Sequence, residues 1–353
     1  MKKLFLVALL AAGFTAVQAQ KPFNHSDEPV LVYSLPATEL VFDLEIEKVT
    51  EKPGVFYQYS QRYLATTGVV TEESVNYQLK SVRMTTRPVV DKALRFSVSP
   101  DLVPGLVLTS EGLLAGVNVP SPRKVIKERH IEHRMDTPLA RPEGMIALNQ
   151  EYMMAGSTAK MAEGAAYQIY ALRESRLNLL SGEMENLPAD GESLKLMLQG
   201  LDRQERELTE LFAGQVRKET FRHRITLIPD SSQHEALLFR LSAKRGIVAS
   251  DDLGGEPYYI AIDHETIPQQ APVVVKAKGS KKSKTPPPVV ALYTVLPVNA
   301  TIEVSDGVNT LLREQTSISH FGVLLPHDAS LFKSKTIQME VDPATGRMVR
   351  IQQ

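Results

Sequence analysis

The residues best placed to carry chemistry are a serine and a lysine spaced as in penicillin-binding enzymes and β-lactamases. Ser157 and Lys160 match the Ser-x-x-Lys pattern, in which the lysine activates a serine nucleophile at the start of a helix. The same spacing recurs at Ser121 with Lys124, and the accompanying Lys-Thr-Gly element is missing. We therefore predict that Ser157 is an ordinary helix N-cap.

Two groups of potential metal ligands have simpler interpretations. His130 and His133 would point to opposite faces of a strand, and the basic residues around them would repel a cation, which favours a solvated charged segment. Asp251, Asp252 and Glu256 offer acidic oxygens, but their spacing misses the calcium loop of an EF-hand. We interpret this second group as a glycine-rich turn, and we expect no metal and no cofactor.

An aromatic stripe is the remaining candidate site. Pro53 can open a short helix, on which Phe56, Tyr59 and Tyr63 fall on one face. This face is either a surface for a partner or ligand, or the core side of the helix. The sequence contains no Gly-x-Gly-x-x-Gly, Walker, His-Glu-x-x-His or Gly-x-Ser-x-Gly motif. We therefore expect no catalytic residues and a protein that is not an enzyme.

The first nineteen residues have the three parts of a secretory signal peptide. Lys2 and Lys3 precede an apolar stretch over residues 4–14, and small residues lead to a cleavage point between Ala19 and Gln20. The stretch is too short to span a membrane, and no later segment offers a long apolar run, so we expect no transmembrane span. The sequence thus predicts export, to the periplasm or to a face of the outer membrane.

Amino-acid composition argues against some covalent modifications and some classes of partner. Cysteine is absent, which excludes disulfides, cysteine nucleophiles and the thiol that a lipoprotein anchor needs. Lys and Arg total 40 against 41 Asp and Glu, whereas a duplex nucleic-acid binder is usually basic. We expect neither a nucleic-acid partner nor a lipid anchor.

Hydrophobic periodicity divides the mature chain into three regions. Residues 20–150 are β-rich with one short helix: Leu40, Phe42, Leu44 and Ile46 alternate with mostly polar residues, as in a strand with one buried face. Alternation recurs from Val75 to Leu79 and from Leu94 to Val98, and a hairpin follows near residues 106–117. Residues 215–353 are β-rich again, with a basic loop at 276–288 and a terminal hairpin.

Residues 151–214 predict two helices. Met161, Ala165, Ile169 and Leu172 have helical spacing after Ser157. A short loop precedes a second helix capped by Asp190, on which Asp202 and Arg206 lie in i,i+4 register. Helices joined by so short a loop pack as an antiparallel αα-hairpin. The predicted fold class is α+β, with two antiparallel, meander-like or sandwich-like β-rich regions flanking this hairpin.

Several segments resemble a known family, the domain of unknown function 4831, found in exported proteins of Bacteroidota. The resemblance covers nearly all of the mature chain. It implies an envelope protein of a Gram-negative bacterium, and it supplies no catalytic residues because the family has no established activity. The segments that carry it are Val32-Tyr33-Ser34-Leu35-Pro36, Tyr59-Ser60-Gln61-Arg62-Tyr63-Leu64, Ile169-Tyr170-Ala171-Leu172-Arg173-Glu174-Ser175-Arg176, Leu187-Pro188-Ala189-Asp190-Gly191 and Asp251-Asp252-Leu253-Gly254-Gly255-Glu256-Pro257.

These observations favour a non-enzymatic scaffold or accessory subunit that binds another envelope protein, with the helical hairpin as a docking unit. A small-ligand binder using the stripe of Phe56, Tyr59 and Tyr63 is one alternative. An envelope-polymer hydrolase whose site assembles only in the fold is another. The sequence leaves the partner, the ligand and the oligomeric state open.

Overall fold

The computed structural model describes residues 30–120, 148–182, 191–230, 233–265 and 291–353. The predicted signal peptide, His130 and His133, Asp190 and the basic loop lie outside them.

The described chain contains twelve strands and four α-helices, and the α+β prediction is confirmed. The elements in chain order are β1 (Leu31–Lys52), a 3₁₀ turn (Tyr57–Tyr59), α1 (Ser60–Leu64), β2 (Ser74–Val98), β3 (Leu106–Leu108), β4 (Leu114–Val117), α2 (Gln150–Met153), α3 (Thr158–Ser181), α4 (Gly191–Ala213), β5 (Gln215–Leu227), β6 (Gln233–Ser242), β7 (Gly246–Val248), β8 (Glu256–His264), β9 (Ala291–Ser305), β10 (Thr310–Asp328), a second 3₁₀ turn (Ala329–Lys333), β11 (Gln338–Val341) and β12 (Met348–Gln352).

The strands form three sheets, all with antiparallel pairing. The orders are β2-β1-β5, β10-β9-β8-β6-β7 and β12-β11-β4-β3. The first sheet combines β1 and β2 with β5, and the third combines β3 and β4 with β11 and β12. The two β-rich regions therefore share sheets, and the helical hairpin is inserted between strands of the first one.

Strand β1 contributes residues to both hydrophobic cores of the β-sheets. The predicted alternation is confirmed: Leu40, Phe42, Leu44 and Ile46 are fully buried between the first and second sheets. Burial of each such side chain contributes about 1.5–3 kcal/mol. Nearer the start of β1, Tyr33 and Leu35 belong to a second core against the third sheet. One strand therefore ties both β cores together.

Strand β2 joins two segments that alternate separately in the sequence. Residues 75–79 and 94–98 lie in one strand of 25 residues, because β1 pairs with β2 along almost its whole length. Two bulges in the ladder, between Ser34 and Pro36 and between Glu45 and Ile46, absorb the change in register. Pro36 sits beside the first bulge, where a proline is tolerated within a strand.

The helical hairpin has the predicted arrangement. The Ser157 side chain accepts a hydrogen bond from the Lys160 N–H, so the N-cap prediction is confirmed. Arg173 lies 2.7 Å from Glu205 and Arg176 lies 3.1 Å from Asp202, pairings that only antiparallel helices allow. The i,i+4 register of Asp202 with Arg206 indicated an ion pair along α4. Asp202 instead pairs with Arg176 of the facing helix α3, because that guanidinium is within reach.

The short helix begins later than its sequence indicates. Pro53 and Gly54 lie between β1 and the 3₁₀ turn, and α1 starts at Ser60. Gly54 lies so close to the end of α4 that an added Cβ would be 2.3 Å from the Leu211 carbonyl oxygen. The segment before α1 is therefore packed against α4, where the Phe56 N–H also donates to the Leu211 carbonyl oxygen.

Candidate functional surface on the helical hairpin

Helix α3 is apolar on two sides, only one of which faces the core. The core side carries mainly small residues, Ala162, Gly164, Ala165 and Ala166, together with the larger Ile169 and Leu179. Gly164 packs on the Tyr152 ring, and a Cβ there would lie 2.1 Å from the ring carbon Cγ. The small residues therefore allow the close contact between α3 and its neighbours, and several larger apolar residues of the helix lie on its other side.

The outer side of α3 exposes large apolar residues. Tyr167 is 62% exposed and Leu177 is 65% exposed, and similar side chains continue the apolar area towards the tip of the hairpin. Those side chains are Tyr170 and Leu180 on α3, and Leu196 and Met197 on α4. A soluble monomer normally exposes such residues singly, so a concentration of them along one hairpin marks a surface for interaction.

Aromatic rings and guanidinium groups meet where α1 lies against α3. The Tyr170 hydroxyl donates a hydrogen bond to the Tyr63 carbonyl oxygen at 2.9 Å. The ring centroids of Tyr59 and Tyr63 are 6.2 Å apart. Arg62 lies 5.3 Å from the centroid of the Tyr63 ring, and Arg173 lies 5.5 Å from that of Tyr170. We call this area, together with the exposed Tyr167 one turn away on α3, the tyrosine–arginine surface.

The predicted stripe is divided between this surface and the core. Phe56 is fully buried and packs against Phe212 of α4, with 5.5 Å between the centroids of the two tilted rings. Tyr59 and Tyr63 are half-buried at the edge of the same helical core. A surface made of all three rings is therefore not available, because the Phe56 ring is covered.

A shallow cleft of about 350 Å³ runs between α3 and α4 beside the tyrosine–arginine surface. Four of its charged side chains form two ion pairs, Arg173 with Glu205 and Arg176 with Asp202. Exposed ion pairs contribute about 0–1 kcal/mol each, so these pairs set the register of the helices more than they stabilise them. Arg62 differs, since no carboxylate in the described part of the chain lies within ion-pair distance of it.

The acidic group after β7 forms a turn, as the sequence indicates. The Asp252 carboxylate accepts hydrogen bonds from Arg245 and from the Gly254 N–H, both at 2.9 Å. These bonds, that from Arg245 first, hold the pKa of Asp252 below its usual value. Within the described ranges no three acidic, histidine or cysteine side chains are gathered as a metal site requires.

Tyr167, Tyr170 and Arg173 belong to this surface, but the sequence did not single them out. The signal was present: these residues lie on α3 outside the positions that its core side uses, so the helix carries more large apolar residues than one face can bury.

No helix in the described ranges is long and apolar enough to cross a membrane.

Comparison with known proteins identifies the family alone. No curated protein and no solved structure matches the chain. The family model described as "Domain of unknown function (DUF4831)" matches residues 30–349. This range includes all four helices and eleven complete strands, so the match extends over the whole described fold. The chain therefore belongs to the DUF4831 family.

Proposed function

We propose that this chain is a non-enzymatic accessory protein of the cell envelope, in a bacterium of the Bacteroidota, which binds a protein partner through the tyrosine–arginine surface. The leader over residues 1–19 supports export, and the resemblance noted in the sequence supports the bacterial group. The composition and exposure of the surface support the binding of a protein.

The observation that carries the proposal is the convergence of four tyrosines and two arginines at one place. Tyrosine and arginine are enriched at protein interfaces and at their energetic centres, because each combines a large apolar body with a polar tip. Here the two arginines lie on tyrosine rings, and the exposed Tyr167 leads to the leucines of the hairpin tip. The tyrosine–arginine surface therefore combines an apolar centre with neighbouring cationic groups, which a protein partner could contact.

The chemistry of the surface supports a partner with an acidic and apolar binding segment. Arg62 brings a positive charge that no described carboxylate neutralises, and its aromatic neighbours lower the cost of covering it. The complementary partner is a protein segment with an aspartate or glutamate beside apolar side chains. Such a segment would place its carboxylate on Arg62 and its apolar residues over Tyr167.

The test is recovery of the partner from native envelope membranes by affinity purification and mass spectrometry, with tagged chains. The surface variant combines Arg62→Glu with Tyr167→Ser, two exposed positions whose change leaves the core intact. The matched control is Leu253→Ser, which removes an 84% exposed leucine from a turn of the second sheet. We expect the wild type and the control to recover the same protein, and the surface variant to recover at least about tenfold less of it, as befits the loss of an interface centre. Equal recovery by all three chains would refute the proposal.

A further inference from the structure

The ladder between β1 and β5 ends two residues before Thr38 of β1 and Pro229, which follows β5. Its last partners are Leu40 and Leu227. Continued in the same antiparallel register, the ladder would place Thr38 opposite Pro229. Both are buried, so the N–H of Thr38 and the carbonyl of Pro229 each require a partner.

The side chain of His320 lies between these two backbone groups. The Thr38 N–H donates to Nδ1 of His320 at 3.1 Å, and Nε2 of the same ring donates to the Pro229 carbonyl oxygen at 2.5 Å. The imidazole thus takes the place of a direct hydrogen bond between the two segments, with one hydrogen bond to Thr38 and one to Pro229. A backbone N–H can only donate and a carbonyl can only accept, so this ring is neutral with its proton on Nε2.

The local shape of β10 places the histidine there. Its register against β9 shifts between Ile318 and Val323, and the intervening residues bulge towards β1. Gly322 allows this path, because a Cβ at that position would lie 2.2 Å from the Leu296 carbonyl oxygen. The Ser319 N–H donates to the Thr38 hydroxyl at 2.9 Å, which binds the bulge to β1 beside His320.

We propose that His320 is a pH-sensitive latch between the first and second sheets. In its neutral form it completes the β1–β5 ladder and holds the segment that leaves β5 for β6. Protonation of Nδ1 removes the acceptor that the Thr38 N–H uses and sets two donors against each other in a buried position. The hydrogen bonds of His320 then break, and the contact between the first and second sheets becomes weaker near Pro229.

Other titratable groups lie on the elements that surround this ring. Glu39 of β1 is engaged by Arg87, whose Nε donates to it at 2.7 Å. Asp230 follows Pro229 in the segment after β5. The His264 ring of β8 also contacts Phe321: its centroid lies 4.6 Å from that of Phe321, and the His320 centroid lies 4.7 Å from the same ring. His264 is therefore a second imidazole close to the latch, and the test must separate the two.

The experiment measures hydrogen–deuterium exchange of the whole mature protein, resolved to single amides by fragmentation, at about pH 8 and about pH 5, which bracket the ordinary range of histidine titration. Protection factors, corrected for intrinsic exchange, are compared at Thr38 and at Phe42 within the continuous ladder. We expect Thr38 to lose at least about tenfold in protection at the lower pH, as for a lost buried hydrogen bond. Phe42 should change little.

Two variants identify the sensor. His320→Gln keeps one donor and one acceptor but does not titrate, so Thr38 should stay protected at both pH values. His264→Gln removes the neighbouring titration, and the tenfold loss at Thr38 should persist. The latch is refuted if Thr38 protection in the wild type is independent of pH, if His320→Gln keeps the response, or if His264→Gln abolishes it.

Discussion

Replacing Phe56 by alanine tests whether this ring is a structural residue or part of a binding surface. Its side chain is fully buried, and it packs against the Phe212 ring in the helical core. Deleting a buried phenylalanine costs about 3–5 kcal/mol, since the transfer free energy is lost and a cavity remains. The aromatic pair contributes about 0.5–1.5 kcal/mol of this loss. A domain stable by about 5–15 kcal/mol would keep its fold but lose a large part of its stability.

The assay is urea unfolding of the mature protein, followed by the helical circular dichroism signal. The matched control is Val55→Ala, at the neighbouring position that is 51% exposed, for which we expect a change within about 0.5 kcal/mol. Phe56→Leu retains part of the contact and should fall between the two. A loss below about 1 kcal/mol for Phe56→Ala would mean that the ring is not packed as described, and the whole aromatic stripe would again be a candidate ligand surface.

Three further predictions follow from single residues. Burial lowers the pKa of His327 from its usual 6.5, so the folded state favours the neutral ring. The stability that this ring contributes is complete above pH 6.5 and falls as the pH drops towards the lowered pKa. His327→Gln should flatten this decline, which urea midpoints measured at successive pH values would show. Gly164→Ala should destabilise the protein, by about 1–3 kcal/mol for an overpacked core, because its Cβ would strike the Tyr152 ring, whereas Gly156→Ala, with nothing within 4 Å, should not lower the melting temperature. N-terminal sequencing of the exported protein should begin at Gln20, and an intact Met1 on protein from the envelope would contradict cleavage of the leader.

Local patterns predicted the elements of this fold better than their pairing. The alternation at Leu40, Phe42, Leu44 and Ile46 specified a half-buried strand, because side chains point to opposite faces at successive residues. The addition of β5 to the same sheet was not predictable in that way. Alternation defines which face of a strand is buried, but it carries no information on which distant strand will become its neighbour.

The residues to which we assign functions by proposal were harder to predict, for two physical reasons. On α3 the apolar residues exceed what one side can bury, so periodicity alone does not tell Tyr167 from a core residue. His320 gave no signal, because both of its partners are backbone groups, 282 and 91 residues away along the chain. Any residue type supplies such groups, and only the bulge in β10 brings this ring to them.

The attachment of the helices to the sheet explains how the tyrosine–arginine surface can be rigid. The last turn of α4 leaves carbonyl groups without partners inside the helix, and the segment after β1 satisfies them. The Phe56 N–H donates to the Leu211 carbonyl oxygen at 2.7 Å, and the Ser60 hydroxyl donates to that of Phe212 at 2.9 Å. These bonds fix α1, which carries Tyr63, to a helix that continues directly into β5. Because these bonds fix the backbone of α1 against α4, the proposed partner would not have to order these helices, which reduces the entropy cost of binding.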